Sequence, residues 1–293
     1  NAVIELVTNA DDSYCALEDR NELHSQARIR IEIERHQKKP TLLIVRDRAG
    51  GMSRKDMRDR LQWEGELYRE FEPCSRKRGM FGSGAKEVTH FGPTVFESIK
   101  GDTYTRYEMP RGGGSRTHKP QIGSESADRH REELGIPRGN GTVVTIRVDS
   151  QQFTIPQYET LRQRLQTVPQ LQPILQDGRR WVELADLNNP ENKDRLLIVE
   201  PNAETIIDQR ELEVLGFRSA IEQTDQSVLL TLKRSQEPLE ELAGVLIQAG
   251  RTAFERDQFD LTNQAHADLF YGELHCPFLW RLNAEAEARD AED

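Results

Sequence analysis

Hydrophobic and polar positions at the start of the chain predict an amphipathic helix over residues 1–17. At about 100° per residue, Glu5, Asn9 and Asp12 fall within roughly 60° of one another. The helix therefore presents a carboxylate, an amide and a second carboxylate on one side. The apolar side chains cluster on the opposite side, at Val3, Leu6, Val7, Ala10, Tyr14 and Leu17.

Several segments of the first half have the composition or the period of β-strands. Residues 27–35 alternate isoleucine with charged side chains, which is typical of a half-buried strand. Residues 41–46 form a continuous apolar run that suits a central strand. Further strands are predicted at residues 94–99, 103–109 and 141–148.

The segments between these strands predict helices and loops. A charged helix is expected over residues 53–71, with Ser53 as its N-cap, followed by a basic connector. A glycine-rich loop at residues 79–84 precedes a short helix that ends at Gly92. Residues 111–140 are glycine-rich and then charged, and they predict a long surface excursion.

The second half has the pattern of a separate α+β domain. The first domain is predicted to span residues 1–149, and the second to span residues 150–293 and to end in an acidic C-terminal tail. A helix is expected over residues 156–168. Strands are predicted at residues 180–185, 195–200, 228–232, 244–248 and 269–275.

Composition limits the classes of function. The chain has 293 residues and a formal net charge of -10, so any contact with nucleic acid is expected to be local. The cysteines Cys15, Cys74 and Cys276 have no spacing typical of zinc sites and are expected to be free thiols. No apolar run is long enough to cross a bilayer, so we expect no membrane contact and a cytoplasmic location, or a nuclear one in a eukaryote. Because the chain starts without Met and inside a predicted helix, we expect it to be a fragment.

Three features suggest a binding site. The first is the polar stripe of the first helix, which by itself is typical of a solvated face. The second is Asp47 at a strand end, followed by small residues that let a ligand approach the main chain. The third is the glycine loop at residues 79–84, whose N–H groups at a helix N-terminus can bind an anion.

In this order and spacing, the three features resemble the GHKL ATPase superfamily, which includes gyrase-type and type IIB topoisomerases, MutL, ninety-kilodalton heat-shock chaperones, sensor histidine kinases and MORC proteins. The resemblance covers residues 1–149, and the glycine loop is most similar to MORC-like proteins and their prokaryotic relatives. It implies a Bergerat-type ATP-binding fold, an α/β two-layer sandwich with a mostly antiparallel mixed sheet and helices on one face. It also implies an α+β second domain that is ribosomal-S5-like.

The resemblance implies roles for the first helix. The family motif Glu-x-x-x-Asn-Ala-x-Asp is matched by Glu5, Asn9, Ala10 and Asp12. Asn9 is then the Mg²⁺ ligand, since Mg²⁺ prefers oxygen donors. Glu5 is the general base that accepts a proton from the attacking water, and Asp12 belongs to the nucleotide-binding set.

The resemblance also implies the residues of the adenine site. Asp47 accepts a hydrogen bond from the adenine amino group, beside Gly51 and Met52 of the Asp-x-Gly-x-Gly-Met motif. Ala49 stands where the family usually has its first glycine. Thr142 is expected to complete the adenine site.

For the phosphates, the resemblance implies a lid over residues 53–78 that closes on ATP. It further implies phosphate binding by the glycine loop and the residue just beyond it, namely Gly79, Gly82, Ser83, Gly84 and Lys86. Lys193 and Lys233 are the candidates for a lysine of the second domain that senses the γ-phosphate.

The function implied is that of an ATPase acting as a nucleotide-gated molecular clamp. The expected partners are ATP, a second copy of the chain in a nucleotide-dependent homodimer, and DNA or a DNA-processing protein. Two alternatives remain open: a chaperone-like ATPase that acts on protein clients, as heat-shock-ninety-like proteins do, and a nucleotide-binding scaffold without hydrolysis.

Overall fold

A computed structural model describes residues 2–23, 26–61, 87–112, 122–149, 151–198, 201–212 and 227–279. Within these residues the chain divides into two compact units. The first unit comprises the chain up to Leu165 together with Ile174–Leu197, and the second comprises Gln166–Pro173 and the chain from Ile198 onwards. The protein is α/β, with two mixed sheets and few helices.

The first unit is built on an eight-stranded sheet with the strand order β5-β4-β3-β6-β2-β1-β7-β8. Neighbouring strands run antiparallel, except for β1 and β7, which run parallel. The strands are β1 (Ala27–Glu34), β2 (Thr41–Asp47), β3 (Thr94–Lys100), β4 (Thr103–Met109), β5 (Ile122–Ser126), β6 (Gly141–Val148), β7 (Arg180–Asp186) and β8 (Asn189–Arg195).

Helix α1 (Ala2–Asp19) packs on β1 and β2. Its buried residues include Leu6, Val7, Ala10 and Tyr14, as the apolar pattern predicts. On the sheet it meets the isoleucines of β1, which are fully buried because every second residue of a strand points to the same face. The further helices are α2 (Arg54–Leu61), α3 (Tyr158–Thr167) and α4 (Gln172–Gln176).

The opposite face of the sheet is partly covered by the segment that follows β5. Ala127, Leu134 and Ile136 are buried in one apolar cluster with sheet residues that include Ile44 and Val143. Residues 111–140 were predicted as a surface excursion, and this prediction is wrong for their described part. The segment contributes β5 and buries apolar side chains against the sheet, which offsets the cost of ordering it.

The first unit extends beyond residue 149, where the sequence pattern predicts the end of the first domain. Strand β7 was assigned to the second domain, but it pairs with β1 in the register Ile29↔Val182 and Ile31↔Leu184. Strand β8, the last strand of the first unit, also lies earlier in the chain than predicted, at Asn189–Arg195 instead of residues 195–200. Its sequence is almost entirely polar because it is an exposed edge strand, so the apolar run after it gave a misleading signal.

The second unit has a five-stranded sheet with the order β12-β11-β13-β10-β9, in which β11 and β13 run parallel. An apolar cluster at one end contains Val228, Cys276 and Phe278. The strands are β9 (Ala203–Leu212), β10 (Val228–Ser235), β11 (Gly244–Ala249), β12 (Thr252–Asp257) and β13 (Phe270–His275). Among the helices of the described residues, none has the length and apolar character needed to span a bilayer.

Candidate functional site

Helix α1 carries the predicted polar stripe. Glu5, Asn9 and Asp12 are each partly exposed, and they keep the i, i+4, i+7 spacing that places them on one side of the helix. The helix and its polar side are therefore confirmed. On the other side Leu6, Val7, Ala10 and Tyr14 are buried as predicted, whereas Val3 and Leu17 are partly exposed. Asp11 is fully buried on the side where the sequence pattern predicts only apolar packing.

The environment of Glu5 favours the protonated form of its carboxyl. Partial burial raises the pKa of Glu5 above its usual range, and the negative charge of Glu87 raises it further. Glu87 directly precedes the short helix Val88–Phe91, which contacts α1. Glu5 therefore lies close to the point where the chain enters that helix.

Asp47 closes β2 and faces β6, where Thr142 is its register partner. Burial raises the pKa of the Asp47 carboxyl to about 7, although hydrogen bonds from the backbone N–H groups of Ala49 and Thr142 act in the opposite direction. The Ala49 N–H lies 2.9 Å from Asp47 Oδ1. Two backbone N–H groups thus hold the carboxyl in place, one from the turn after β2 and one from the start of β6.

The turn after Asp47 depends on one glycine. Gly51 has φ of 65°, and a Cβ at this position would lie 2.2 Å from the carbonyl oxygen of Ile99. Ala49 is buried and is not among the described residues with positive φ. Alanine is therefore tolerated at residue 49, whereas residue 51 requires glycine.

Ser98 joins the turn to β6. It is not predictable from the sequence, because a serine inside a strand has no distinctive pattern. Its Oγ accepts a hydrogen bond from the N–H of Met52 at 2.7 Å and donates to the carbonyl oxygen of Gly141 at 2.8 Å. The same Oγ lies 3.1 Å from Thr142 Oγ1. Met52, Ser98 and Thr142 therefore belong to one hydrogen-bonded group beside Asp47.

Helix α1 is attached to this turn through two consecutive residues. The N–H of Gly50 donates to Ser13 Oγ at 3.2 Å, and the N–H of Arg48 donates to the Tyr14 hydroxyl at 2.9 Å. The helix that bears Glu5, Asn9 and Asp12 is thus fixed to the loop that follows Asp47. The structure therefore joins the turn after Asp47 to β6 and to the helix that carries Glu5, Asn9 and Asp12.

The other predicted residues of the site lie outside the described part of the chain, namely Gly79, Gly82, Ser83, Gly84 and Lys86. Of the predicted lid at residues 53–78, only the part up to Leu61 is described, and it forms α2. Ser53 caps this helix as predicted, since its Oγ accepts from the N–H of Asp56 at 3.2 Å and the Asp56 carboxylate accepts from the N–H of Ser53 at 2.8 Å.

The two candidate sensor lysines have partners within their own sheets. Lys193 lies on β8 of the first unit, with its Nζ 3.7 Å from Glu183 Oε1. Lys233 lies on β10 with its Nζ 5.7 Å from the centre of the Tyr271 ring. Neither lysine gains support as a γ-phosphate sensor from these contacts.

Cys15 and Cys276 are buried thiols outside any disulfide, and Cys74 lies outside the described residues. Among the described residues, no group of three or more His, Cys, Asp or Glu side chains could hold a metal ion.

A scan against protein-family models gives no match for this chain. A search of curated proteins gives no match either. A functional assignment therefore depends on the chemistry of the residues around α1 and Asp47.

Proposed function

We propose that this chain binds ATP with Mg²⁺ and hydrolyses it in the manner of GHKL ATPases. One observation carries the proposal. The turn that follows Asp47 is joined by hydrogen bonds from the N–H groups of Arg48 and Gly50 to the helix that bears Glu5, Asn9 and Asp12, and the hydroxyls of Ser98 and Thr142 lie beside that turn. A purine base and a metal-bound phosphate chain need these two kinds of group at neighbouring positions.

The Asp47 carboxylate would accept a hydrogen bond from the exocyclic amino group of adenine. An ionised carboxylate only accepts hydrogen bonds, so it selects an amino group over a carbonyl oxygen at that position of the base. Thr142 presents a hydroxyl next to it that can serve a ring nitrogen directly or through water, and the buried Ser98 Oγ lies 3.1 Å from that hydroxyl. This arrangement favours adenine over guanine.

The donor set on α1 fits a hard cation bound to phosphates. Mg²⁺ usually takes one or two protein oxygens and keeps water and phosphate oxygens for the remaining positions. Asn9 would supply such an oxygen, and Asp12 lies on the same side of the helix and adds a negative charge near it. The bound ion would neutralise the phosphates during their transfer.

Glu5 lies one helical turn from Asn9 and would accept the proton of the attacking water. Its raised pKa makes the carboxylate a stronger base than an exposed glutamate. A positioned base of this kind contributes about 10²–10⁴-fold to a rate. Glu5→Gln should therefore bind ATP and fail to turn it over.

The two-unit architecture suits a nucleotide-gated clamp, in which ATP orders the lid and pairs two copies of the chain. The proposed partners are a second copy of this chain and DNA, or a protein that processes DNA. In this proposal the first unit has the Bergerat fold and the second unit is ribosomal-S5-like.

The test is calorimetric titration of ATP and of a non-hydrolysable analogue, with and without Mg²⁺, together with phosphate release. We expect binding by the wild type, at least tenfold weaker binding by Asp47→Ala, and analogue binding without turnover by Glu5→Gln. Asp102→Asn, an exposed carboxylate in the β3–β4 turn, is the matched control and should behave as wild type. If neither nucleotide binds to the wild type, the proposal is wrong.

A further inference from the structure

The sheet of the first unit has a cluster of cations on the side that does not face α1. We name this cluster the basic face, and it consists of Arg28, Arg30, Arg46, Trp181, Lys193 and Arg195. Side chains alternate along a strand, so Arg28 and Arg30 point away from the face of the buried isoleucines. The register places the other members beside them, with Arg30 opposite Arg46, Arg28 opposite Trp181 and Arg195 opposite Glu183.

The members of the basic face are connected through two carboxylates. Glu32 lies 3.1 Å from Arg30 Nε and 2.5 Å from Arg46 Nε. Glu183 lies 3.0 Å from Arg30 Nε and 3.7 Å from Lys193 Nζ. Three of the five cations, namely Arg30, Arg46 and Lys193, are therefore paired with two carboxylates. The basic face thus has more cations than these carboxylates neutralise, in a chain of net charge -10.

Trp181 lies between two guanidinium groups. The Arg195 guanidinium is 4.5 Å and the Arg28 guanidinium 5.5 Å from the centre of the indole ring. Arg28 and Lys193 are exposed, and the side chain of Lys193 retains 50% of its accessible surface. An aromatic ring flanked by arginines at an accessible surface is suited to stacking and to binding phosphate.

The basic face has more hydrogen-bond donors than acceptors. Five buried side-chain nitrogen or oxygen atoms of the described residues make no hydrogen bond, and three of them belong to this face. All three are N–H donors: Arg30 Nε is nevertheless ion-paired with Glu32 and Glu183, whereas Trp181 Nε1 and Arg195 Nε have no acceptor among the described residues. Unsatisfied donors beside excess positive charge favour a ligand that is rich in anionic oxygen acceptors.

We propose that the basic face binds the phosphate backbone of a nucleic acid. Lys193 and Arg28 contact phosphates from the accessible rim, and Trp181 with its two arginines provides the surface on which a sugar or a base rests. A nucleic acid fits better than an acidic protein because it offers stacking rings as well as anionic oxygens. None of these residues belongs to the candidate nucleotide site, and the proposal assigns to this surface the nucleic acid that the proposed function names among its partners.

The basic face is nevertheless connected to helix α1. The Tyr14 hydroxyl accepts from the N–H of Arg28 at 3.1 Å and donates to the Arg28 carbonyl oxygen at 2.7 Å. The same hydroxyl binds the N–H of Arg48 in the turn after Asp47. Tyr14 therefore places the backbone of a basic-face arginine next to the proposed nucleotide site.

The test uses the full chain without ATP or Mg²⁺, so its outcome is independent of the proposed ATPase. Fluorescence anisotropy would follow binding to labelled duplex and single-stranded DNA of about 20 nucleotides, between about 50 and 200 mM salt. Arg28→Glu/Lys193→Glu is compared with Arg210→Glu/Arg234→Glu, which makes the same charge change at exposed residues of the second unit. The double variant Arg28→Gln/Lys193→Gln removes the same two positive charges without introducing negative ones.

We expect at least a tenfold loss of affinity for the basic-face pair, a smaller loss for the glutamine pair, and a change within about threefold for the control. The slope of log affinity against log salt should fall by about 2, since two phosphate contacts are removed. The proposal is overturned if the wild type binds neither DNA at low salt, or if both charge-reversed pairs lose affinity equally. It is also overturned if polyglutamate competes as well as DNA does, because the partner would then be an acidic protein.

Discussion

The hydroxyl of Tyr14 and the N–H of Arg48 form a hydrogen bond of 2.9 Å that fixes helix α1 to the turn after Asp47. The hydroxyl also bonds both backbone groups of Arg28, so one side chain organises the start of β1 and the end of β2. Burial raises the pKa of Tyr14 far above its usual range, and the negative charge of Asp47 adds to this. The Tyr14 hydroxyl therefore remains protonated at every pH at which the protein is folded.

We predict that Tyr14→Phe lowers the free energy of unfolding by about 2 kcal/mol, because two backbone N–H groups lose their acceptor without gaining water. Urea denaturation followed by circular dichroism measures the change. Tyr107→Phe, at a buried tyrosine of β4, is the matched control and should cost less. Equal losses in the two variants would show that the Tyr14 hydroxyl adds nothing to stability.

The stability of the protein should depend on pH through Asp47. The pKa of Asp47 in the folded chain, about 7, lies above its ordinary value of 3.8, so the folded state holds the proton more tightly than the unfolded state. The contribution of this group to stability is therefore complete below about pH 4 and is lost as the pH rises to about 7.

Asp47→Asn removes this pH dependence. Relative to the wild type, the variant should gain about 2 kcal/mol of stability between about pH 5 and pH 8. Thermal unfolding at the two pH values measures the difference. Asp128→Asn, at an exposed carboxylate, is the control and should show no such gain. A constant difference between Asp47→Asn and wild type at all pH values would contradict the raised pKa.

Two glycines separate the cost of backbone conformation from the cost of a steric clash. Gly51 and Gly101 have φ of 65° and 61°. A Cβ added at Gly51 would meet other atoms within 4 Å, whereas a Cβ added at Gly101 would meet none. Gly101→Ala should cost about 1 kcal/mol from φ alone, and Gly51→Ala about 3 kcal/mol or more because the Ile99 carbonyl must also move. Chemical denaturation of both variants tests this order. Similar losses would mean that the turn adapts freely around an added methyl group.

Arg180 joins β7 to α1 in a fully buried ion pair with Asp11, and it also binds Glu18. Because removing one partner leaves a buried charge uncompensated, we predict that Arg180→Met lowers the free energy of unfolding by about 3–5 kcal/mol. Arg180→Met/Asp11→Leu should lose less than the single variant, since the double change leaves fewer unpaired charges. Additive losses in the double variant would rule out a coupled pair.

The sequence predicts helix α1 and the central strands correctly because their apolar positions follow the periods of 3.6 and 2. It does not predict Asp11 as a buried residue, since its partner Arg180 lies 169 positions later and periodicity carries no information about such pairs. The positions of strands β8 and β9 are not predicted correctly for another reason. Both are exposed edge strands with polar residues on each side, so they lack the alternation that identifies a half-buried strand.

The site is predictable to the extent that its residues follow a linear motif. Glu5, Asn9, Asp12, Asp47, Gly51 and Thr142 lie on motifs that can be recognised in one dimension. Ser13, Tyr14 and Ser98 are not predictable in this way, because each acts through a hydrogen bond to a backbone group of a distant segment. The identity of a side chain does not indicate which distant backbone group it will meet.

The parallel pairing of β1 with β7 sets the order of events during synthesis. As the ribosome releases the chain from its N-terminus, β1 has β2 as a neighbour early but must wait for about 150 further residues before its other side is occupied. Until then an isoleucine-rich strand has an open edge and Asp11 has no guanidinium beside it, which is a state prone to aggregate. A nascent chain released at residue 149 would stop in that state, so we expect a segment of the first unit that folds independently to extend at least through β7.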